Sequence, residues 1–391
     1  MSDSRVASQS TDRGPSDASE ITSIDGTVSV FIPSLAVGGA ERVSINLAEG
    51  LANSGFDVDL LVQTASGEFE IDHDGIDVVE LGASVPPFGI VSAVPGLVNY
   101  VRRTEPTAVI SSLTRANVTV ALAGLVSPTS FAHVAVEHLN QTDKAKPPKE
   151  RVLFSLAERL YPRIDEIVAV SAGVRDSIAG TFGVDANAIT VLPNIVLTEA
   201  FRASLDEPVD HPWIEDQDLD VVTTLGRLTE QKDHRTLLRA FAELENEDAR
   251  LLVLGDGDLR LELERLADDL DVGDDVELMG YVDNPFKYVQ RSELFVLSSK
   301  REGLPTVLIE ALGCGCPIVS TDSPSGPVEV LDDGRYGRLV PVGDAGRLAG
   351  AIDSELTKTH DESVLLSRAE EYSESSVVAS YARLLERTVE D

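Results

Sequence analysis

The chain is almost without cysteine, methionine and tryptophan, with two, two and one of them in 391 residues. Cys314 and Cys316 cannot make a disulfide framework, and one CxC pair with no second pair or neighbouring histidine is a poor metal site. A reduced, cytoplasmic protein is expected. Lysine is scarce too: 7 of the 32 basic residues, set against 67 Asp plus Glu and a net charge of −35. Such a surface is carpeted with carboxylates, which predicts a halophilic protein soluble in concentrated salt and excludes nucleic acid as a partner. No apolar run approaches the ~20 residues of a spanning helix, so membrane contact is expected to be peripheral. Residues 1–26, rich in Ser, Asp and Gly, have no apolar core and read as a disordered tail, neither signal peptide nor span. The string GxxxxGK[ST] is missing, which removes the P-loop reading.

What is present alternates. Short apolar runs at Val28–Leu35, Val58–Gln63, Val78–Leu81, Ala108–Ser112, Phe131–Glu137 and Ile167–Ser171 are separated by helical or loop segments. This pattern predicts a mostly parallel sheet covered on both faces. An acidic, proline-punctuated stretch after Asn194 reads as a linker, and a second alternation follows at 221–226, 251–255, 276–280, 294–298 and 317–321. The length suits two domains. The expected division is a tail at 1–26, one α/β unit at 27–198 and a second at 199–362. A helix at 363–391 is expected to pack back on the first unit. Two tandem units of this kind place a cleft between the C-terminal edges of their strands.

The stretch KREGLPTVLIEALGCG, 300–315, follows the strand at 294–298 and opens a helix with Pro305 as its first residue. The backbone N–H groups of Gly303, Leu304 and Thr306 would lie at that helix N-terminus, where an anion such as a diphosphate is favoured. Glu310 falls i+4 from Thr306 in an otherwise apolar run, and vicinal ribose hydroxyls would satisfy its two oxygens. A surface helix with an outward Glu fits the same letters. Earlier, Gly38 and Gly39 open the helix after the first strand and allow close backbone approach to a ligand. In TLGRLTEQKDH, Arg227 stands just beyond a strand and Lys232 at a helix start, positions that suit a phosphate clamp of planar fork and point charge. The GDG at 255–257 is half a dinucleotide fingerprint and weak. The DxD pairs are what so acidic a composition yields by chance, so no metal site is assigned.

Five segments in order carry a resemblance. REGLP through Glu310, the GRL…QK run at 226–232, GDG at 255–257, SGPVEVLDDGRYGRLVPVGD at 325–344 and GGAER at 38–42 together resemble a retaining glycosyltransferase of family 4. The resemblance implies the α/β GT-B fold, two Rossmann-like doubly wound domains facing a central cleft. It also implies a UDP- or GDP-sugar bound mainly by the second domain, an acceptor bound mainly by the first, and no cofactor. Residue by residue, it assigns Glu310 to the ribose and Arg227 with Lys232 to the diphosphate. Glu302 and the 303–306 backbone, Pro305 included, would hold the donor sugar and phosphates, with Gly38 and Gly39 closing from the other side. His138, at the end of FAHVAVEH, matches the position of a histidine near the transferred sugar, and a plain loop donor is its other reading. Glu302 is thus a sugar binder, no nucleophilic carboxylate stands out, and a same-face attack is the expected mechanism.

Residues 144–163, KAKPPKERVLFSLAERLYPR, hold six basic side chains against two acidic ones. This local reversal of sign, followed by an amphipathic segment, suits docking on anionic headgroups or a lipid-linked phosphate acceptor at the inner face of the cell membrane. The activity expected is transfer to a glycan or lipid-linked acceptor in cell-surface polysaccharide or glycoprotein glycan assembly. A nucleotide-sugar epimerase of the same build, a GT-B phosphorylase using Lys287 or Lys300, and a non-catalytic sugar-nucleotide binder are the rivals. The EGLPTVLIE string speaks against the first, and the absence of a supporting context for either lysine against the second.

Overall fold

The computed structural model describes residues 24–35, 39–67, 71, 73–82, 91–140 and 148–390. The strands that the apolar runs predict, joined by the unpredicted β7 and β13, form two all-parallel sheets. The first contains β1 (Thr27–Leu35), β2 (Asp57–Gly67), β3 (Ile76–Glu80), β4 (Ala108–Ser112), β5 (Ala132–Glu137), β6 (Glu166–Ala169) and β7 (Ile189–Val191), in the order 3-2-1-4-5-6-7. The second contains β8 (Asp220–Leu225), β9 (Ala249–Leu254), β10 (Val276–Gly280), β11 (Leu294–Leu297), β12 (Ile318–Thr321) and β13 (Arg338–Val340), in the order 10-9-8-11-12-13.

Each sheet reverses its winding beside its first strand, between β1 and β4 and between β8 and β11. The crevice beyond the carboxyl ends of two such strands is where open parallel sheets bind ligands. Val222 pairs with Leu294 and Thr223 with Phe295, so the loops at 226–233 and 298–305 leave the sheet side by side. Helices cover both faces of each sheet. Val30, Ile32, Leu60 and Ile110 are buried under one face of the first, and Phe31, Leu61 and Val109 under the other. The second sheet splits in the same way into Phe295, Leu297 and Ile318 against Val222, Leu251 and Val296. Strands buried on both faces must be apolar at successive positions, which is why they were readable.

Three expectations change. The tail is expected to run through residue 26, yet Ile24 packs on the first core and the carbonyl of Asp25 accepts a hydrogen bond from Thr107 Oγ1 at 2.8 Å. The rest of the tail lies outside the described residues. The single helix expected over 363–391 is two helices, Glu362–Ala369 and Glu374–Glu390. The chain turns at Ser373, whose neighbour Tyr372 offers its carbonyl to the N–H groups of Val196 and Leu197 at 3.0 and 3.2 Å, so the break is made by the crossing linker. Beyond it, Val378, Tyr381 and Leu385 are buried in the core of the first sheet. Third, the helix after β11 is Thr306–Gly313, and Pro305, with ψ of 96°, stands one residue before it.

Candidate active site

The loop after β8 and the loop after β11 are stitched together. Lys300 N–H donates to the Gln231 carbonyl at 2.8 Å, Gln231 Nε2 to the Arg301 carbonyl at 3.0 Å, and Ser298 Oγ to the Lys232 carbonyl at 2.8 Å. Between the loops lies an ion pair: Lys232 Nζ donates to Glu302 Oε1 at 2.8 Å, and Ser299 Oγ donates to the same oxygen at 2.6 Å. Their side chains are 17% and 9% exposed, so neither partner is a solvated surface charge. No protein donor among the described residues takes Glu302 Oε2. The stem of Lys232 lies against Gly226. Arg227, the next residue, is exposed, and its guanidinium has no hydrogen bond or ion pair among the described residues.

The glycines of the GDG string serve this loop. A Cβ on Gly255 would stand 2.1 Å from the Gly226 carbonyl oxygen, and one on Gly257 would stand 2.6 Å from that of Leu228. They let β9's exit pass under β8's.

Glu310 projects from the Thr306–Gly313 helix into a cavity of about 340 Å³ between the two sheets, lined also by Thr306, Asn284, Gly39, Arg42 and Asn46. Burial raises its carboxyl pKa to about 7, against the opposing pull of Arg42 and Lys232. Arg42 comes from the Gly39–Asn53 helix of the first unit, so a cation from one half acts on a carboxylate of the other. In the sequence Arg42 reads only as the polar face of an amphipathic helix, and nothing in GGAER marks it as facing the other half. Gly39 heads that helix and lines the cavity; Gly38 lies outside the described residues. The N–H groups of Gly303, Leu304 and Thr306 have no acceptor among the described residues. The Leu304 side chain turns away, toward a separate cavity with Val170 and Leu192.

His138 follows β5, whose end is anchored by a buried polar knot. Asn117 Nδ2 donates to Glu137 Oε1 at 3.1 Å and to the Val136 carbonyl at 3.1 Å, and the Tyr161 hydroxyl donates to Glu137 as well. Burial and the neighbouring Glu137 push the Tyr161 hydroxyl well above its ordinary range, so it stays protonated and keeps donating. The His138 ring is buried, and among the described residues neither nitrogen is in a hydrogen bond that meets normal geometry, although Asn194 lies beside it. Burial lowers its pKa to about 4, so the imidazole is neutral at pH 7. Its main chain touches the other half: a Cβ on Gly303 would stand 2.2 Å from the His138 carbonyl oxygen.

Two doubly wound parallel sheets facing each other across a crevice, with both chain crossings at one end, define the GT-B class of fold. The chain superposes on the lipopolysaccharide outer core galactosyltransferase WaaB in its apo form with a TM-score of 0.72, at 19% identity, over 92% of this chain and 99% of that one. HepE of Anabaena, in complex with UDP and glucose, gives a TM-score of 0.66 at 18% identity over 93% and 97%. Residues 37–200 match the family described as Glycosyltransferase Family 4, and residues 209–373 match Glycosyl transferases group 1. The chain belongs to this family of glycosyltransferases.

Among curated relatives, it is 34% identical over 187 residues to the N-acetylgalactosamine-N,N'-diacetylbacillosaminyl-diphospho-undecaprenol 4-alpha-N-acetylgalactosaminyltransferase of Campylobacter jejuni, covering 48% of this chain and 49% of that protein. It is 35% identical over 189 residues to the lipopolysaccharide core biosynthesis glycosyltransferase LpsE of Rhizobium meliloti, covering 47% and 52%. These alignments span about half the length of the relatives.

Proposed function

We propose that the protein transfers a sugar from a UDP- or GDP-linked donor to a glycan or lipid-linked acceptor in cell-surface polysaccharide or glycoprotein glycan assembly, with retention of configuration and without a metal. The observation that carries this reading is the Lys232–Glu302 pair at the switch point of the second sheet, with Glu310 and the 303–306 backbone beside it. The relatives named above, which include a transferase for a diphospho-undecaprenol substrate, support the acceptor class.

In this reading the C1–O bond to the β-phosphate breaks while an acceptor oxygen attacks from the same face, and the acceptor proton passes to the departing phosphate oxygen. Negative charge grows on the diphosphate, so Lys232, Arg227 and the helix tip stabilise the transition state more than the bound donor. Glu302 Oε2 and the neutral His138 ring hold sugar hydroxyls, and Glu310 takes the ribose. The test is a panel of UDP-, GDP- and dTDP-sugars in high salt, following free nucleotide with and without lipid acceptor and reading the product anomer by NMR. Acceptor-dependent release with retention is expected. Epimerised donor, or binding without release, overturns the reading, and a covalently trapped glycosyl-enzyme overturns the same-face step.

Docking on an anionic bilayer belongs to the same proposal. Lys144 and Lys146 lie outside the described residues, as does the Lys149 side chain. In the part described, Arg151, Arg159 and Arg163 are exposed, Val152 is 65% exposed, and Leu125, at 62%, lines one cavity with Arg163. Basic heads around exposed apolar side chains complement anionic headgroups in a chain that is otherwise acidic. No helix among the described residues is long and apolar enough to cross a membrane. Sedimentation with phosphatidylglycerol vesicles should carry the wild type down and leave a Lys144/Lys146/Lys149→Glu variant in solution; equal partition contradicts it.

A further inference from the structure

Glu329 reaches across the cleft. It belongs to the four-residue helix Pro327–Val330 after β12, yet its carboxylate accepts hydrogen bonds from the first unit. Ala172 N–H donates to Oε2 at 2.7 Å, and Gly173 N–H donates to Oε1 at 3.0 Å. These are the first two N–H groups of the Ala172–Phe182 helix, which have no partner within their own helix. Ser171 caps the next one, accepting from Val174 N–H, and its hydroxyl also donates to the Gly303 carbonyl at 3.2 Å. Asn140 Nδ2 donates to Ser325 Oγ at 2.9 Å, two residues from His138. The seam is backbone-close: a Cβ on Gly173 would stand 2.1 Å from Ser325 Oγ, and one on Gly303 would stand 2.2 Å from the His138 carbonyl oxygen. Arg368 holds the Glu329 segment from behind, donating to the carbonyls of Glu329 and Val330 at 2.6 and 3.1 Å.

The groups this seam brings together come from opposite halves. His138 is on the first unit and Glu302 on the second, and Gly303, next to Glu302, packs against the His138 carbonyl and accepts from the Ser171 hydroxyl, both of the first unit. A carboxylate on a helix N-terminus is favoured by the dipole and lost if the halves part. We propose that Glu329 is a positioning residue that closes the two domains by capping the Ala172–Phe182 helix, and so sets His138 against Glu302. The inference rests on the transferase reading for its kinetic arm only.

Two variants break the cap from opposite sides. Glu329→Gln removes the charge and one acceptor. Ala172→Pro removes one donor at the first helical position, where proline is tolerated and where the extended Ser171 suits a following proline. The interdomain distance is read by pulsed EPR between labels at Leu125→Cys and Leu261→Cys, which are 62% and 66% exposed, while Cys314 and Cys316 are buried. Each variant should broaden the distance distribution and lower kcat by about 10- to 100-fold through misplacement of the reacting groups. The Kd for UDP or GDP should hold within about twofold, since Lys232 and Glu310, which the proposed function gives to the nucleotide, both lie on the second unit. The double variant should be no worse than either single one. Unchanged distances, or effects that add, overturn the proposal even if kcat falls. Because the distances need no turnover, an inactive wild type contradicts the transferase reading and leaves the seam to its own test.

Discussion

Glu310 is asked to be an anion in a place that disfavours one. Burial holds its pKa near 7 while Arg42 and Lys232 pull it down, and the thiol of Cys314, one turn on, is itself kept protonated by burial. A carboxyl with a raised folded-state pKa binds an extra proton in the folded protein, so it costs stability as pH climbs from its ordinary value toward 7 and beyond. The full linkage is about 3 kcal/mol, and the open side of the cleft screens part of it. Glu310→Gln should therefore be more stable than the wild type by about 1–2 kcal/mol at pH 8 and equal to it at pH 4, by urea unfolding at both pH values. Nucleotide affinity should move the other way. In the wild type it should rise as pH passes through 7, because the ionised carboxylate accepts both ribose hydroxyls; in the Gln variant it should be flat. Lys232, Glu302 and Glu310 were legible because each follows an apolar strand or sits alone in an apolar helix. Their pairing was not, since Lys232 and Glu302 are 70 residues apart and meet only once the strand order places β8 beside β11.

At the scale of elements, the strands buried on both faces announced themselves, as did the more exposed β3, while β7 and β13 did not. β7 and β13 are three residues each and carry exposed positions, so hydrophobic pattern alone passes over them. The break at Ser373 was hidden for a different reason: the letters around it favour helix, and the competing partner is the Val196–Leu197 linker, far off in sequence. The Glu374–Glu390 helix belongs energetically to the first unit. Leu385 is fully buried there, so Leu385→Ala should cost about 2–5 kcal/mol in urea unfolding, while Leu261→Ala, on an exposed helix face, should cost less than about 0.5. Equal effects would mean that the last helix does not brace the first core.

The whole molecule carries 35 net negative charges, and their mutual repulsion opposes compaction. The screening length falls from about 10 Å at 0.1 M salt to about 3 Å at 1 M, so the thermal midpoint should rise steadily with KCl up to 2 M. A midpoint indifferent to salt would separate the acidic composition from any adaptation to brine. Against that negative background, Lys232 and Arg42 both act on Glu310 at the crevice between the halves, and the proposed function rests on this local concentration of positive charge. The most direct measurement is calorimetric titration of the wild type, Lys232→Met and Glu310→Gln with UDP and GDP and with the corresponding nucleosides. Expected is diphosphate binding by the wild type, loss of about 10-fold or more in Lys232→Met for the diphosphate but not the nucleoside, and loss of both in Glu310→Gln above pH 7. A wild type that binds no nucleoside diphosphate, or variants that bind it equally well, would contradict the assignment of this crevice.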